Sequence, residues 1–195
     1  MPEILLVRHA PTEWSGRRYC GRSDPPLGIA GHAAAARLAS ALSAMIPRGV
    51  TVTSSPSLRA LATAAPIAAA LGQSDADIVV DAGWQEVDFG EAEGRTFDDL
   101  IRDHRDLADA LARGTTAIDW PGGEAAARFE ARVEAAWADV VARGEPAVVV
   151  AHAGPIRHVL ALVRGLPASA IDLPGAATVV PVALPDGAVV LPSRT

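Results

Sequence analysis

A second cysteine is missing from this 195-residue chain. Cys20 alone makes neither an intramolecular disulfide nor a cysteine-based zinc site, so a reducing compartment is the simplest setting. An excess of positive charge is missing too. Seventeen basic residues against 23 acidic ones give a net charge of −6, which leaves no general attraction to nucleic acid or to an anionic membrane. Any anion must be held by a local cluster working against the overall charge. There is no apolar run of the roughly 18 residues that a membrane span needs. The first residues lack the basic stretch and apolar segment of a secretory signal. Together these absences predict a soluble, cytoplasmic protein. No internal repeat and no dividing linker is visible, so one domain is expected over residues 1–195. With 50% hydrophobic residues, the chain has material for one well-buried core.

What is present alternates between short apolar runs and longer helical patterns. "EILLV" (3–7), "GVTVTS" (49–54), "DIVVD" (77–81) and "PAVVVA" (146–151) read as strands. Helices are expected over 28–45, 57–71, 96–113, 124–143 and 155–164, with Pro66 a candidate kink and Thr96 with Asp99 a candidate cap. "ATVVPVAL" (177–184) and "GAVVL" (187–191) read as a terminal hairpin around Pro185, Asp186 and Gly187. Strands alternating with helices predict a three-layer α/β/α domain with a mostly parallel central sheet.

The unusual residues fall where such a sheet binds ligands, beyond the carboxyl ends of its strands. Arg8 and His9 end the first run, Arg59 closes "SSPSLR" after the second, and His152 follows "PAVVVA" in "AHAGP". The loop "GWQEVDFGEAEG" after the third supplies Glu86, Asp88, Glu91 and Glu93. Guanidinium forks match phosphate oxygens, and helix starts offer unpaired amides to an anion. Histidine serves as nucleophile or proton carrier near neutral pH. The sum is a pocket for a phosphoryl group with a candidate nucleophile inside it.

"LLVRHAPTEW", "SSPSLRALATA", "WQEVDFGEAEG" and "VVVAHAGPIRHVL", in that order, resemble the histidine phosphatase family, the phosphoglycerate-mutase-like superfamily. The resemblance implies that His9 is a transiently phosphorylated nucleophile. It implies that Arg8, Arg59 and His152 hold the phosphoryl oxygens, and that Glu86 protonates the leaving oxygen and then activates water. It implies a small phosphomonoester as partner and no metal or other cofactor. Ser15 stands where many members place a phosphate-contacting Asn, and Ala10, Ala92 and Ala153 also depart from the usual pattern. Trp14, Ser15 and Tyr19, with Arg17 and Arg18, are candidates for contacting the rest of the substrate.

"RHAPTEW", "YCGRSDPPL" and "AHAGPIR" further resemble the short alpha-ribazole phosphatases, which makes alpha-ribazole 5'-phosphate one candidate substrate. Two alternatives stand beside hydrolysis: a phosphoglycerate mutase, disfavoured by the short stretch between Glu86 and His152, and a phosphate- or phosphopeptide-binding module without chemistry. A metallohydrolase on His9 and His152 lacks a local motif such as H-E-x-x-H. Cys20 reads as a loop thiol. His32 and His104 are expected to face solvent, and Arg157 and His158 to play structural roles near the rim.

Overall fold

Continuous apolar runs, buried on both faces, build the centre of the sheet. In the computed structural model, which describes residues 3–183, the chain order is β1 (Glu3–Arg8), α1 (Ile29–Met45), β2 (Thr51–Ser54), α2 (Leu58–Ala70), β3 (Val79–Val80), α3 (Phe97–Asp103), α4 (Arg105–Ala112), α5 (Ala126–Ala142), β4 (Ala147–Ala151), α6 (Ala153–Arg164) and β5 (Val179–Ala183). The strand order is β3-β2-β4-β1-β5. β1 to β4 pair in parallel, and β5 lies antiparallel against β1 at one edge.

Successive side chains leave a strand on opposite faces, so β1 and β4 each feed two cores. Ile4, Leu6, Val149 and Ala151 pack with α5 and α6 residues such as Val133, Trp137 and Ile156. Leu5, Val7, Val148 and Val150 pack with α1 and α2 residues such as Leu38, Leu42 and Ile67. That is the three-layer α/β/α arrangement expected from the sequence. Complete burial of a side chain such as Leu6 stabilises by about 1.5–3 kcal/mol, so the central strands are fixed from both sides.

Three expectations need correction. The third strand is only Val79–Val80, because Asp75–Asp77 turns as a short 3-10 helix under a reciprocal Ser74–Asp77 cap. The helix expected over 96–113 begins with the foreseen Thr96–Asp99 capping box but breaks at His104 into α3 and α4. His104 is not solvent-facing; it sits half-buried at the break, its Nε2 3.7 Å from Glu91 Oε2. Pro66 is accommodated inside α2, which runs through it. The expected hairpin partner 187–191 lies outside the described residues. Among the described residues, no helix is long and apolar enough to cross a membrane.

Candidate active site

The carboxyl ends of β1 and β4 open onto one cavity of about 640 Å³ whose wall includes Arg8, His9 and Glu86. His9 leaves β1 with its amide on the Ala151 carbonyl (3.0 Å), so β4 fixes its backbone. Its Nδ1 lies 2.7 Å from the Ala10 carbonyl oxygen. A carbonyl only accepts, so Nδ1 carries the proton and the Nε2 lone pair is left free. Burial, then the Arg59 guanidinium, push the His9 pKa down to about 3, with Arg8 adding to the shift against the Ala10 hydrogen bond. The ring is therefore a neutral imidazole at physiological pH.

His152 caps the N-terminus of α6, with its ring centroid 5.1 Å from that of His9. The "SSPS" turn after β2 serves it directly: Ser55 Oγ and Ser57 Oγ lie 2.8 and 3.2 Å from His152 Nε2. Complete burial, then Arg59, hold this imidazole well below its usual pKa. Arg8 sends Nη1 to the Pro174 carbonyl, and burial lowers its pKa first while Glu86 opposes the shift.

Arg59 is not on the cavity wall. It is almost fully buried behind it, with Nη1 on the Ser23 carbonyl (2.9 Å) and Nη2 on those of Cys20 and Gly21 (3.1 and 2.9 Å). Asp24 closes the same turn. Its carboxylate takes the Leu58 amide at the start of α2 and stands 3.4 Å from Arg59. The other side of this loop belongs to Glu93, which accepts the amides of Gly21, Arg22 and Ser23 as well as that of Phe89. Burial alone would raise the Glu93 pKa, but these hydrogen bonds outweigh it and the net shift is downward.

Glu86 is the one carboxylate of its loop on the cavity wall. Buried Trp84, reached through a short turn capped by Asp81, anchors the segment in the core. Glu86 Oε2 takes the Gly154 amide (3.1 Å) and Oε1 its neighbour Val87 (3.0 Å). A Cβ at position 154 would come within 2.2 Å of Oε1, so only glycine allows this approach. Asp88 is spent on the Gly90 amide, Glu91 faces His104, and Glu93 holds the loop already described.

Two residues that the sequence did not single out brace this carboxylate. Arg132 on α5 makes a two-pronged pair with buried Glu124 (both 2.7 Å) and donates to the carbonyls of Gly83, Gln85 and Glu86. Their signal was weak, because a Glu and an Arg eight apart near a helix start read as surface charge. Of the substrate-contact candidates, Ser15 and Tyr19 line the cavity, as do Arg17 and Arg18. The Ser15 hydroxyl is engaged locally, taking the Thr12 amide at 2.9 Å. Trp14 is not on the wall. The turn tied by the Thr12 hydroxyl sends its indole onto Gly94. Cys20 is on the wall, but burial pushes its thiol up to about 11, which makes it a poor nucleophile. Arg157 and His158, expected as structural, both line the cavity.

A free imidazole nitrogen beside cationic side chains, at the rim of a parallel α/β sheet, defines an enzyme for anionic substrates. The chain belongs to the histidine phosphatase superfamily (branch 1), whose family profile matches residues 4–184. It is 33% identical over 174 residues, 87% of this chain and 78% of the relative, to a protein of Enterobacter sp. (strain 638) named "Probable phosphoglycerate mutase GpmB". Its fold is similar to that of a mycobacterial glucosyl-3-phosphoglycerate phosphatase complexed with VO3, with TM-score 0.82 and 27% identity over 94% of this chain and 91% of that one. It is also similar to YhfR of Bacillus stearothermophilus, with TM-score 0.83 and 25% identity over 96% of this chain and 93% of that one. Family and structural neighbours together make the chain a phosphatase.

Proposed function

We propose that the chain hydrolyses a small phosphomonoester, without a metal, through a phosphohistidine on His9. The observation that carries this reading is a set of buried polar atoms without partners. Among the described residues, Nε of Arg8, Nε of Arg59 and Nδ1 of His152 are buried without a hydrogen-bond partner. Such groups cost roughly 1–3 kcal/mol each when left unmatched. All three belong to side chains whose charge or ring bears directly on His9; Arg8 stands on the cavity wall, where a phosphoryl group offers oxygens, while Arg59 acts by its charge from behind that wall.

In the first step the His9 Nε2 lone pair forms the N–P bond while the P–O bond to the leaving alcohol breaks. Glu86 gives the departing oxygen its proton. In the second step water attacks phosphorus, Glu86 takes the water's proton, and the N–P bond breaks to return the lone pair to His9. Charge spread over the equatorial oxygens in both transition states is met by fixed donors, which is where catalysis of phosphoryl transfer resides.

Hydrolysis of p-nitrophenyl phosphate with EDTA present tests the reading, comparing wild type with His9→Ala. Turnover that survives EDTA and disappears in the variant is expected, with acid-labile label on the wild type after rapid quenching of a labelled substrate. Full activity in His9→Ala overturns it. The name carried by the 33%-identical relatives makes isomerisation the competing reading. It prevails if 3-phosphoglycerate is isomerised with negligible release of phosphate. Alpha-ribazole 5'-phosphate belongs early in the substrate panel, on the strength of the "RHAPTEW" and "AHAGPIR" segments.

A further inference from the structure

The phosphoryl-binding end occupies a small part of a cavity of about 640 Å³, a volume in the range of roughly 300–1,000 Å³ that encloses a whole small molecule. The remainder must receive the alcohol that leaves, and its wall is aromatic and aliphatic. Tyr19, Phe89 and Trp120 stand on it in mutual tilted and edge-to-face contact, with centroids 4.6 to 5.7 Å apart. Leu111 and Ile118 continue the same small core and the same wall. Phe97, at the start of α3, also lines the cavity and is 40% exposed, surface that a bound group would cover.

Charged groups share this wall: Arg17, Arg18 and Arg157 line it with Glu130, and Arg18 donates to the Gly94 carbonyl.

Resting on the phosphatase reading above, we infer that the wall built from Tyr19, Phe89, Phe97, Leu111, Ile118 and Trp120 is a leaving-group site for an aromatic or bulky apolar alcohol. The preferred substrates are then phosphomonoesters of such alcohols rather than of sugars or of hydroxy acids. Ring faces and edges of the wall offer offset or edge-on contact to a flat group, and water leaves both surfaces on binding.

The test compares 2-phenylethyl phosphate with ethyl phosphate. Both release primary alcohols of similar basicity, so the ratio of their kcat/KM reads the side-chain contact and not the chemistry of departure. A preference on the order of 10²-fold for the phenylethyl ester is expected. That ratio falls at least tenfold in Phe97→Ala, and again in Ile118→Asn, which covers the case in which one variant folds poorly. Equal rates on the two esters overturn the inference. So does a preference for 3-phosphoglycerate that Arg157→Met abolishes, which would mark a second anion site instead. The corresponding phosphonates, titrated calorimetrically, give the same comparison without turnover. If neither ester reacts yet 2-phenylethylphosphonate binds tenfold or more tighter than ethylphosphonate, the leaving-group site stands while hydrolysis falls. Equal phosphonate affinities remove the site.

Discussion

Glu93 and Arg59 grip one loop from opposite sides. The carboxylate takes three consecutive amides of residues 21–23, and the guanidinium gives to the carbonyls of Cys20, Gly21 and Ser23. The aim of Arg59 toward His9 thus depends on a residue that touches neither. Glu93→Ala is expected to lower kcat/KM by about 10²-fold, the scale set by an ångström of misplacement. The same change weakens competitive inhibition by inorganic phosphate. Unaltered kinetics in a folded variant would show that Arg59 is held well enough without it.

Gly154 gives a second, cleaner perturbation. A methyl there meets Glu86 Oε1 at 2.2 Å, while the backbone lies in the ordinary first turn of α6. Gly154→Ala therefore displaces the carboxyl with little cost elsewhere. The expected result is a fall of roughly 10²–10⁴-fold in kcat, with a melting temperature close to wild type. A variant with normal kcat would remove Glu86 from the proton-transfer role.

Glu86→Gln separates the two chemical steps. An alkyl phosphate needs a proton on its departing oxygen, whereas p-nitrophenolate leaves unaided. The variant should release one equivalent of nitrophenolate per site in a burst and then slow as phosphohistidine waits for an activated water. Absence of the burst, with slow steady turnover on both ester types, would place Glu86 in another role.

Acid should unfold this protein through its active site. His9 titrates near 3 in the folded state and His152 is also held low, while an unfolded histidine titrates near 6.5. Below pH 6.5 the unfolded chain gains protons that the native one refuses, so stability falls with pH. The slope is roughly 1.4 kcal/mol per pH unit for each such histidine, and for His9 it persists to about pH 3. Urea denaturation between pH 7 and 5 should show a shallower decline in His9→Gln than in wild type. Parallel declines would contradict the burial argument.

The buried Glu124–Arg132 pair makes a last prediction. Arg132→Met leaves Glu124 uncompensated and frees the carbonyls of residues 83, 85 and 86. A loss of about 3–5 kcal/mol is expected in denaturant melts, together with reduced kcat. Adding Glu124→Leu should recover much of the stability but not the activity, because the brace on the Glu86 segment stays absent.

The strands were legible where two faces had to be filled. "EILLV" and "AVVVA" are runs that only a central parallel strand buries on both sides, and their ends bring Arg8, His9 and His152 to one rim of the sheet. Glu86 is singled out from Asp88, Glu91 and Glu93 only by the family resemblance, since a glycine-rich loop turns each side chain by local amide bonds that composition and spacing do not show. Only the backbone at Gly90, Gly21 and Gly154 tells which carboxylate is occupied elsewhere. Trp14 escapes a sequence reading for the same reason: the Thr12 turn rotates it away. The break at His104 carried no Pro or Gly to announce it. Arg132 and Glu124 look like any solvated helix pair until the loop they hold is folded beneath them.

The segment between β3 and α5 adds no strand to the sheet, yet it supplies much of the cavity wall. The same segment also carries Glu86, but positions 97, 111 and 118 lie outside the residues proposed for phosphoryl transfer. A combinatorial library confined to positions 97, 111 and 118 could retarget this scaffold to new alcohols while the phosphoryl-handling end stays untouched.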